Sequence, residues 1–391
     1  MYRNTRFSDL MKGLPRQTVE KVVSEHKADK HSKGFGCWNQ LLAMIYAQVS
    51  GCESLRELEA GFNSQEAHHY HLGCRRIKRS TLSDANRDRS SDVFASLCSL
   101  LLRQEHKRVK RELDDLLYLL DSTPISLMGL GYDEWAKAEK DNRIQGLKAH
   151  LMIASPSNIP VSLKVTVPKV SDLKVGRETQ AETGATYVFD RGYTDYNWWY
   201  SLHRAGSVFV SRFKRNASLV VDHYRVIAKK ESESILEDAV VYFKNRRPGG
   251  HRVNDYHGTA LRKITVSRPD KKTPLVIATN DMVRSAKEIA DLYKQRWGIE
   301  LFFKWIKQHL KVKTFLGRNK NAVKIQIYCA IITYLLVQLY QQAEEDAGCL
   351  KMCLMRLRAT LFQRPETEWQ VEKKRRKRAR DYESMQRVLA L

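Results

Sequence analysis

Over residues 1 to about 112 the apolar positions recur at helical spacing. Phe7, Leu10, Met11 and Leu14 form one stripe, followed by Val19, Val22 and Val23. Trp38, Leu41, Leu42, Ile45 and Val49 form another, which Gly51 ends, and a short helix starts at Leu55. The period then changes. Residues 116–121 are a short apolar run ending in Asp121, the pattern of a strand buried on both faces that carries a carboxylate to its end. Residues 147–154 and 159–166, separated by Ser-Pro-Ser-Asn, predict a hairpin, with Pro160 near a strand start where it is tolerated. Ser171 is expected to cap a short helix reaching about Glu182. A second buried run, 185–190, also ends in an aspartate, Asp190, and Gly192 breaks the chain just beyond it. A helix over 196–204 and a strand over 207–213 follow. The predicted order is three strands, helix, strand, helix, strand.

Between 215 and 272 the pattern breaks into short alternating pieces. Strands are expected at 224–228, 239–243 and 261–267, with Arg-Pro-Gly-Gly as a turn, and 275–280 is either the last of these or a return to the core. Ser285 then caps a helix read as continuous through 291–307. At about 100° per residue, Tyr293, Arg296, Glu300 and Lys307 fall within an arc of roughly 60° on that helix. Leu292, Ile299, Phe303, Ile306 and Leu310 fill the neighbouring arc, so the polar stripe borders the buried face. A solvated Arg296–Glu300 pair is worth only a few tenths of a kcal/mol, and it leaves Tyr293 and Lys307 unexplained. A carboxylate for metal beside two cations and a phenol for phosphate oxygens accounts for all four.

The spacing Tyr293-(2)-Arg296-(3)-Glu300-(6)-Lys307 resembles the signature of the insertion-sequence-four family of bacterial DDE transposases. That resemblance implies a ribonuclease-H-like fold in which Glu300 is the third metal-binding carboxylate. It requires two upstream aspartates at strand ends, and Asp121 and Asp190 match them. It further implies two Mg²⁺ ions (Mn²⁺ as an alternative) held by Asp121, Asp190 and Glu300. Tyr293, Arg296 and Lys307 would then grip DNA phosphates, helped by Arg212 and Lys214 on the strand after Asp190. Lys148 and His150 are expected either to line the site or to occupy alternate strand positions. The implied activity is cut-and-paste transposition: binding of terminal inverted repeats, strand cleavage, and transfer into target DNA by a homodimeric synaptic complex. One departure concerns a tryptophan on which some relatives stack a flipped base in the insertion. No Trp occurs between Tyr200 and Arg296, where Tyr224, Tyr242, Phe243 and Tyr256 are the large aromatics of the insertion proper.

Charge agrees with a nucleic-acid partner. The 391 residues carry 68 Lys+Arg against 44 Asp+Glu, a formal +24, with a pI near 9.7. The most apolar run, 325–340, is about sixteen residues and includes Gln326 and Gln338, which suits a buried helix rather than a membrane span. No apolar signal segment opens the sequence, so a soluble, cytoplasmic, nucleoid-associated protein is expected. Seven cysteines without a CxxC pair indicate reduced thiols, and the histidines at 68, 69 and 71 with Cys74 lack the paired spacing of a zinc site. The expected organisation is α/β and multi-domain. An all-α DNA-binding domain spans 1–112, and its basic 75–79 segment leads into a helix capped at Ser80 or Thr81, either a helix-turn-helix reader or a solvated surface helix. The catalytic core spans 113–214 and 273–345 around a β-rich insertion at 215–272, and a helical basic tail at 346–391 includes the run 373–380. A metal-dependent nuclease without strand transfer, and a non-catalytic DNA-binding descendant, are the alternatives. The Tyr-Arg-Glu-Lys signature weighs against the first, and the retention of three carboxylates against the second.

Overall fold

The computed structural model describes residues 5–365 except 114, 130, 134, 137–144, 156, 249–250, 270–272, 313 and 345–347. Of the remainder it describes only 376, 377 and 380, so most of the basic run at 373–380 lies outside the described residues. The chain forms two compact units, residues 1–82 with 336–391, and residues 83–335.

The first unit is helical. It contains α1 (Arg6–Leu10), α2 (Arg16–Glu25), α3 (Cys37–Ser50) and α4 (Leu55–Asn63), with the start of α5 (Arg79–Asp88). Gly51 ends α3 in the left-handed region (φ 76°), the role read from its position, and Ser54 caps α4 through Glu57 N–H. Trp38 Nε1 donates to Leu72 O at 2.8 Å. The expected cap at Ser80 or Thr81 is displaced: α5 begins at Arg79, whose N–H is taken by Glu59 Oε1 at 3.1 Å. A side chain twenty residues away replaces the local hydroxyl.

The second unit takes in the rest of α5 from Ser83, then α6 (Ser91–Glu112), and is built on a mixed sheet. Its strands are β1 (Leu117–Ser126), β2 (Gly146–Ser155), β3 (Ile159–Thr166), β4 (Thr186–Phe189), β5 (Val208–Arg212), β6 (Leu219–Tyr224), β7 (Ile235–Phe243), β8 (Leu261–Val266) and β9 (Leu275–Thr279). Between strands lie α7 (Asp172–Gly176) and α8 (Tyr196–Arg204); after them come α9 (Ala286–Gln295), α10 (Trp297–His309), α11 (Lys320–Ala343) and α12 (Leu350–Thr360), with α11 from Leu336 and all of α12 belonging to the first unit. The nine strands run in the order β3-β2-β1-β4-β5-β9-β8-β7-β6. The β1–β4 and β4–β5 pairs are parallel and the other six are antiparallel. Strands from 215–272 therefore continue the core sheet, because β9 pairs with β5 on one side and β8 on the other.

Tyr118, Leu120, Tyr187, Phe189 and Phe209 point to one face, where Trp198, Trp199 and Leu202 of α8 and Val109 of α6 cover them. On the opposite face α10 packs against β1. Gly298 permits this approach, since a Cβ there would stand 3.4 Å from Leu119 Cδ1 and 3.2 Å from Asn158 Oδ1. Helix α11 is long and apolar enough to cross a membrane by length and composition, but 83% of its apolar window is buried inside the protein.

Several expectations change. The strand expected at 224–228 lies earlier, as β6, and the helix behind Ser171 ends at Gly176 rather than near Glu182. The helix over 291–307 is two helices, joined at Arg296 by the tight i→i+3 bonds Arg296 N→Tyr293 O (3.2 Å) and Ile299 N→Arg296 O (3.3 Å). Asp121 lies inside β1, not at its end, since pairing with β2 continues to Ser126.

Candidate active site

The parallel register of β1 and β4 ends with Leu120 opposite Phe189, so Asp121, which continues β1, and Asp190, the first residue past β4, emerge from neighbouring parallel strands close enough for their charges to interact. Strands so paired are about 4.8 Å apart. Leu120 and Phe189 are buried in the core face. Alternation therefore sends the Asp121 side chain toward α10, where its Oδ2 lies 3.6 Å from Arg296 Nη1. Arg296 Nη2 in turn donates to Glu300 Oε1 at 2.6 Å. One guanidinium thus bridges a strand carboxylate and a helix carboxylate.

Asp190 follows β4 in extended backbone (φ −81°, ψ 179°) and caps the next turn, accepting Gly192 N–H at 2.8 Å. A Cβ at Gly192 would come 2.9 Å from Asp190 Oδ1, so the carboxylate folds closely over Gly192. Asp121 Oδ1 accepts the N–H of Ser122 at 2.8 Å.

Burial pushes the Asp121 carboxyl up to about 6; the Ser122 N–H and Arg296 oppose this, and the charges of Asp190 and Glu300 add to it. Tyr293, 9% exposed, hydrogen-bonds with Arg212, and its phenol is raised chiefly by burial while feeling the charges of Arg296, Arg212 and Asp190. Lys307 Nζ donates to Thr123 Oγ1 at 2.6 Å, two residues along β1 from Asp121. Lys214 stands apart, 6.0 Å over the Tyr196 ring. Lys148 and His150 turn to Asp172, with Lys148 Nζ 2.7 Å and His150 Nδ1 3.3 Å from its Oδ1.

The structure thus groups Asp121, Asp190, Glu300, Tyr293, Arg296 and Arg212, with Lys307 further along the same face of β1. Sequence reasoning missed Asp172, the first residue of the helix behind the Ser171 cap. It also missed Tyr193, whose buried phenol is raised by burial and by the charges of Asp172, Asp121 and Asp190. The Asp-Arg-Gly-Tyr run was the available signal. Trp297 and Leu301, 58% and 54% exposed on the outer side of α10, also went unread.

Three carboxylates are the oxygen set that a hard divalent cation takes. Among the described residues no three ligating side chains already converge on one ion. Arg296 occupies the space between Asp121 and Glu300 and balances their charge, so its displacement is what a metal would require. The raised Asp121 carboxyl has a consequence for stability. Between the ordinary aspartate range and pH 6 the folded state holds a proton that the unfolded state has lost, so stability falls as pH rises through that window. Asp121→Asn removes the penalty. In chelator at pH 7 it should melt higher than the parent by up to about 3 kcal/mol of stability, with the gain vanishing below pH 4; equal melting at both pH values would refute this.

The family described as Transposase DDE domain matches residues 112–336, and a domain of unknown function matches residues 2–75. A protein of Sinorhizobium fredii (strain NGR234) named as a transposase is 41% identical over 260 residues, covering 66% of this chain and 70% of that one. A protein of Geobacillus stearothermophilus named as the transposase of insertion sequence element IS5377 is 27% identical over 280 residues, 71% of each chain. Among solved structures, the cryo-EM structure of a piggyBac transposase synaptic complex with hairpin DNA overlays loosely, with a TM-score of 0.47 at 10% identity over 93% of this chain and 83% of that one. More than half of the chain falls within the DDE domain, and a relative above 40% identity spans two thirds of it. The chain belongs to the DDE transposases of bacterial insertion sequences.

Proposed function

We propose that Asp121, Asp190 and Glu300 are the catalytic carboxylates of a cut-and-paste transposase that acts on the terminal inverted repeats of its own element. The observation that carries this reading is that Asp121 and Asp190 each follow the last paired position of the parallel β1–β4 ladder, with Glu300 tied to Asp121 through Arg296. The order β3-β2-β1-β4-β5, with β2 antiparallel to its neighbours, supports a ribonuclease-H-like core. The segment 215–272 is its insertion, and the helical 1–112 region is assigned the reading of the element ends.

The residues fit a pair of divalent ions, Mg²⁺ or Mn²⁺. Asp121 would hold both, and Asp190 and Glu300 one each, with Arg296 displaced from between them. Bound there, such ions supply Lewis acidity at the attacking and leaving oxygens of an in-line displacement. The protein's own contribution is placement. Tyr293, Arg296 and Arg212 grip the phosphates flanking the scissile bond, and Lys214 adds a contact farther out. In the first step a water oxygen bonds to phosphorus and the P–O3′ bond breaks, leaving a 3′-hydroxyl. In the second, that hydroxyl attacks a target phosphodiester and the target's own 3′-oxygen departs. A homodimer holding both ends, working in the cytoplasm on the bacterial chromosome, is the expected assembly.

The test is incubation of the purified protein with Mg²⁺, a duplex bearing the element's ends, and a supercoiled target. Cleaved ends joined to target support transposition. Cleavage without joining would favour a nuclease, and binding without cleavage a non-catalytic descendant.

Lys307 separates a DNA grip from a packing role. It sits two turns, about 10 Å, beyond Glu300 along the helix, and its bond to Thr123 is the rival explanation. Lys307→Met, which keeps the apolar stem, should weaken end binding and lower the salt slope by about one phosphate contact. Its melting temperature should stay within the shift of a single hydrogen bond, about 1 kcal/mol. An unchanged slope with a large loss of stability would assign Lys307 to packing.

A further inference from the structure

On the sheet face opposite α10, a fourth carboxylate lies behind the site. The β1–β2 register sets Ser122 opposite His150 and Pro124 opposite Lys148, so Ser122, His150 and Lys148 share that face. Helix α7 packs over it and delivers Asp172, whose Oδ1 lies 2.7 Å from Lys148 Nζ and 3.3 Å from His150 Nδ1. His150 is 3% exposed, and its other ring nitrogen is 2.9 Å from Thr166 Oγ1 on β3. Ser122 stands directly opposite His150 on that face, where its hydroxyl helps hold the Asp172 carboxyl down. Burial acts to raise that carboxyl, yet bonds from His150, Lys148 and Ser122 outweigh it and hold it at about 2. Asp172 is therefore favoured as an anion, and it is anchored to β2 through Lys148 and His150 beside Ser122 of β1.

Ser122 is the hinge of the arrangement. Its hydroxyl faces Asp172, while its N–H is the donor that fixes Asp121 Oδ1 at 2.8 Å. We propose that Asp172, held by Lys148 and His150, is a positioning residue for Asp121, acting through Ser122 to set the carboxylate that receives metal. The proposal rests on Asp121 being a metal-binding carboxylate. A ligand whose supporting hydrogen bonds are removed commonly loses 10–100-fold in metal affinity. The same pair of residues explains why Lys148 and His150 sit on strand positions next to the site without entering it.

The experiment uses the full-length protein without DNA and titrates Mn²⁺, reading free ion by electron paramagnetic resonance, with thermal melting in chelator alongside. Asp172→Ala and Ser122→Ala should each raise the Mn²⁺ dissociation constant roughly tenfold. The double variant should bind no worse than the weaker single, because both changes cut one path. Ser122→Ala, a loss of one hydroxyl that leaves the backbone N–H in place, keeps the test usable if Asp172→Ala folds poorly. With Mg²⁺ and cleaved ends, the loss should fall on kcat more than on KM for DNA. A lower melting temperature with parental Mn²⁺ affinity would show a merely structural network and overturn the proposal, as would additive losses in the double variant. Asp121→Ala serves as the separate control. If it binds Mn²⁺ like the parent, the metal reading itself fails, whatever Asp172 does.

Discussion

Glu300→Ala should abolish strand cleavage in Mg²⁺, by at least about a thousandfold, while end binding stays within a few-fold of the parent. The size follows from charge stabilisation worth several kcal/mol at the scissile phosphate, at 1.36 kcal/mol per tenfold in rate. Binding persists because Glu300 is an anion and gives DNA no attraction of its own. Its removal also frees Arg296, now tied to it at 2.6 Å, and leaves that guanidinium with Asp121 at 3.6 Å. An Arg296–Asp121 pair left in place would compete with any cation for the strand carboxylate. Glu300→Ala/Arg296→Ala should therefore recover Mn²⁺ binding at Asp121 and Asp190 without recovering cleavage. Glu300→Gln, which preserves shape, should be as inactive as Ala. Nicking of the ends by Glu300→Ala at a normal rate would remove Glu300 from the chemistry.

How far the sequence reached can be judged from particular residues. The strand-helix order of the core was legible because buried strands read as apolar runs of four to eight and the α7 segment carries its cap at Ser171. Asp121 was misplaced within its strand because Ser-Thr-Pro after it has the composition of a turn. Strand β4 stops at Phe189, so β1 beyond Leu120 is an edge on that side, where Pro124 is tolerated while β2 keeps pairing. The break at Arg296 was hidden because both helices keep the apolar period across it. Whether 215–272 forms its own sheet was likewise unreadable: Thr279 pairs with Val210 and with Arg262, contacts that no local period encodes. The Asp172 cluster was invisible for the same reason, since its members come from three separate elements.

Arg262→Ala should cost the second unit about 3–5 kcal/mol, the largest stability loss expected from a single change outside the apolar core. Arg262 is 1% exposed and Asp238 3%. On adjacent strands β8 and β7 they form a two-point pair, Nε to Oδ1 at 2.8 Å and Nη2 to Oδ2 at 2.7 Å. The remaining nitrogen, Nη1, donates to Asp281 O at 3.1 Å and Arg284 O at 2.6 Å. It thereby fastens the loop that leads from β9 to the Ser285 cap of α9. Alanine would leave Asp238 charged and buried; its only other cation within ion-pair range among the described residues, Arg225, lies at 4.0 Å. Two loop carbonyls would lose their donor as well. For a unit of this size such a loss lowers the melting temperature by roughly 6–20 °C. Arg262→Met/Asp238→Leu removes both charges and should recover most of the loss but not the loop's anchorage. Because that loop starts the helix bearing Tyr293, the double variant should melt near the parent and still cleave more slowly. If Arg262→Ala melts within a degree of the parent, the pair carries no stability. A double variant with full cleavage would show that α9 is positioned without the loop's anchor.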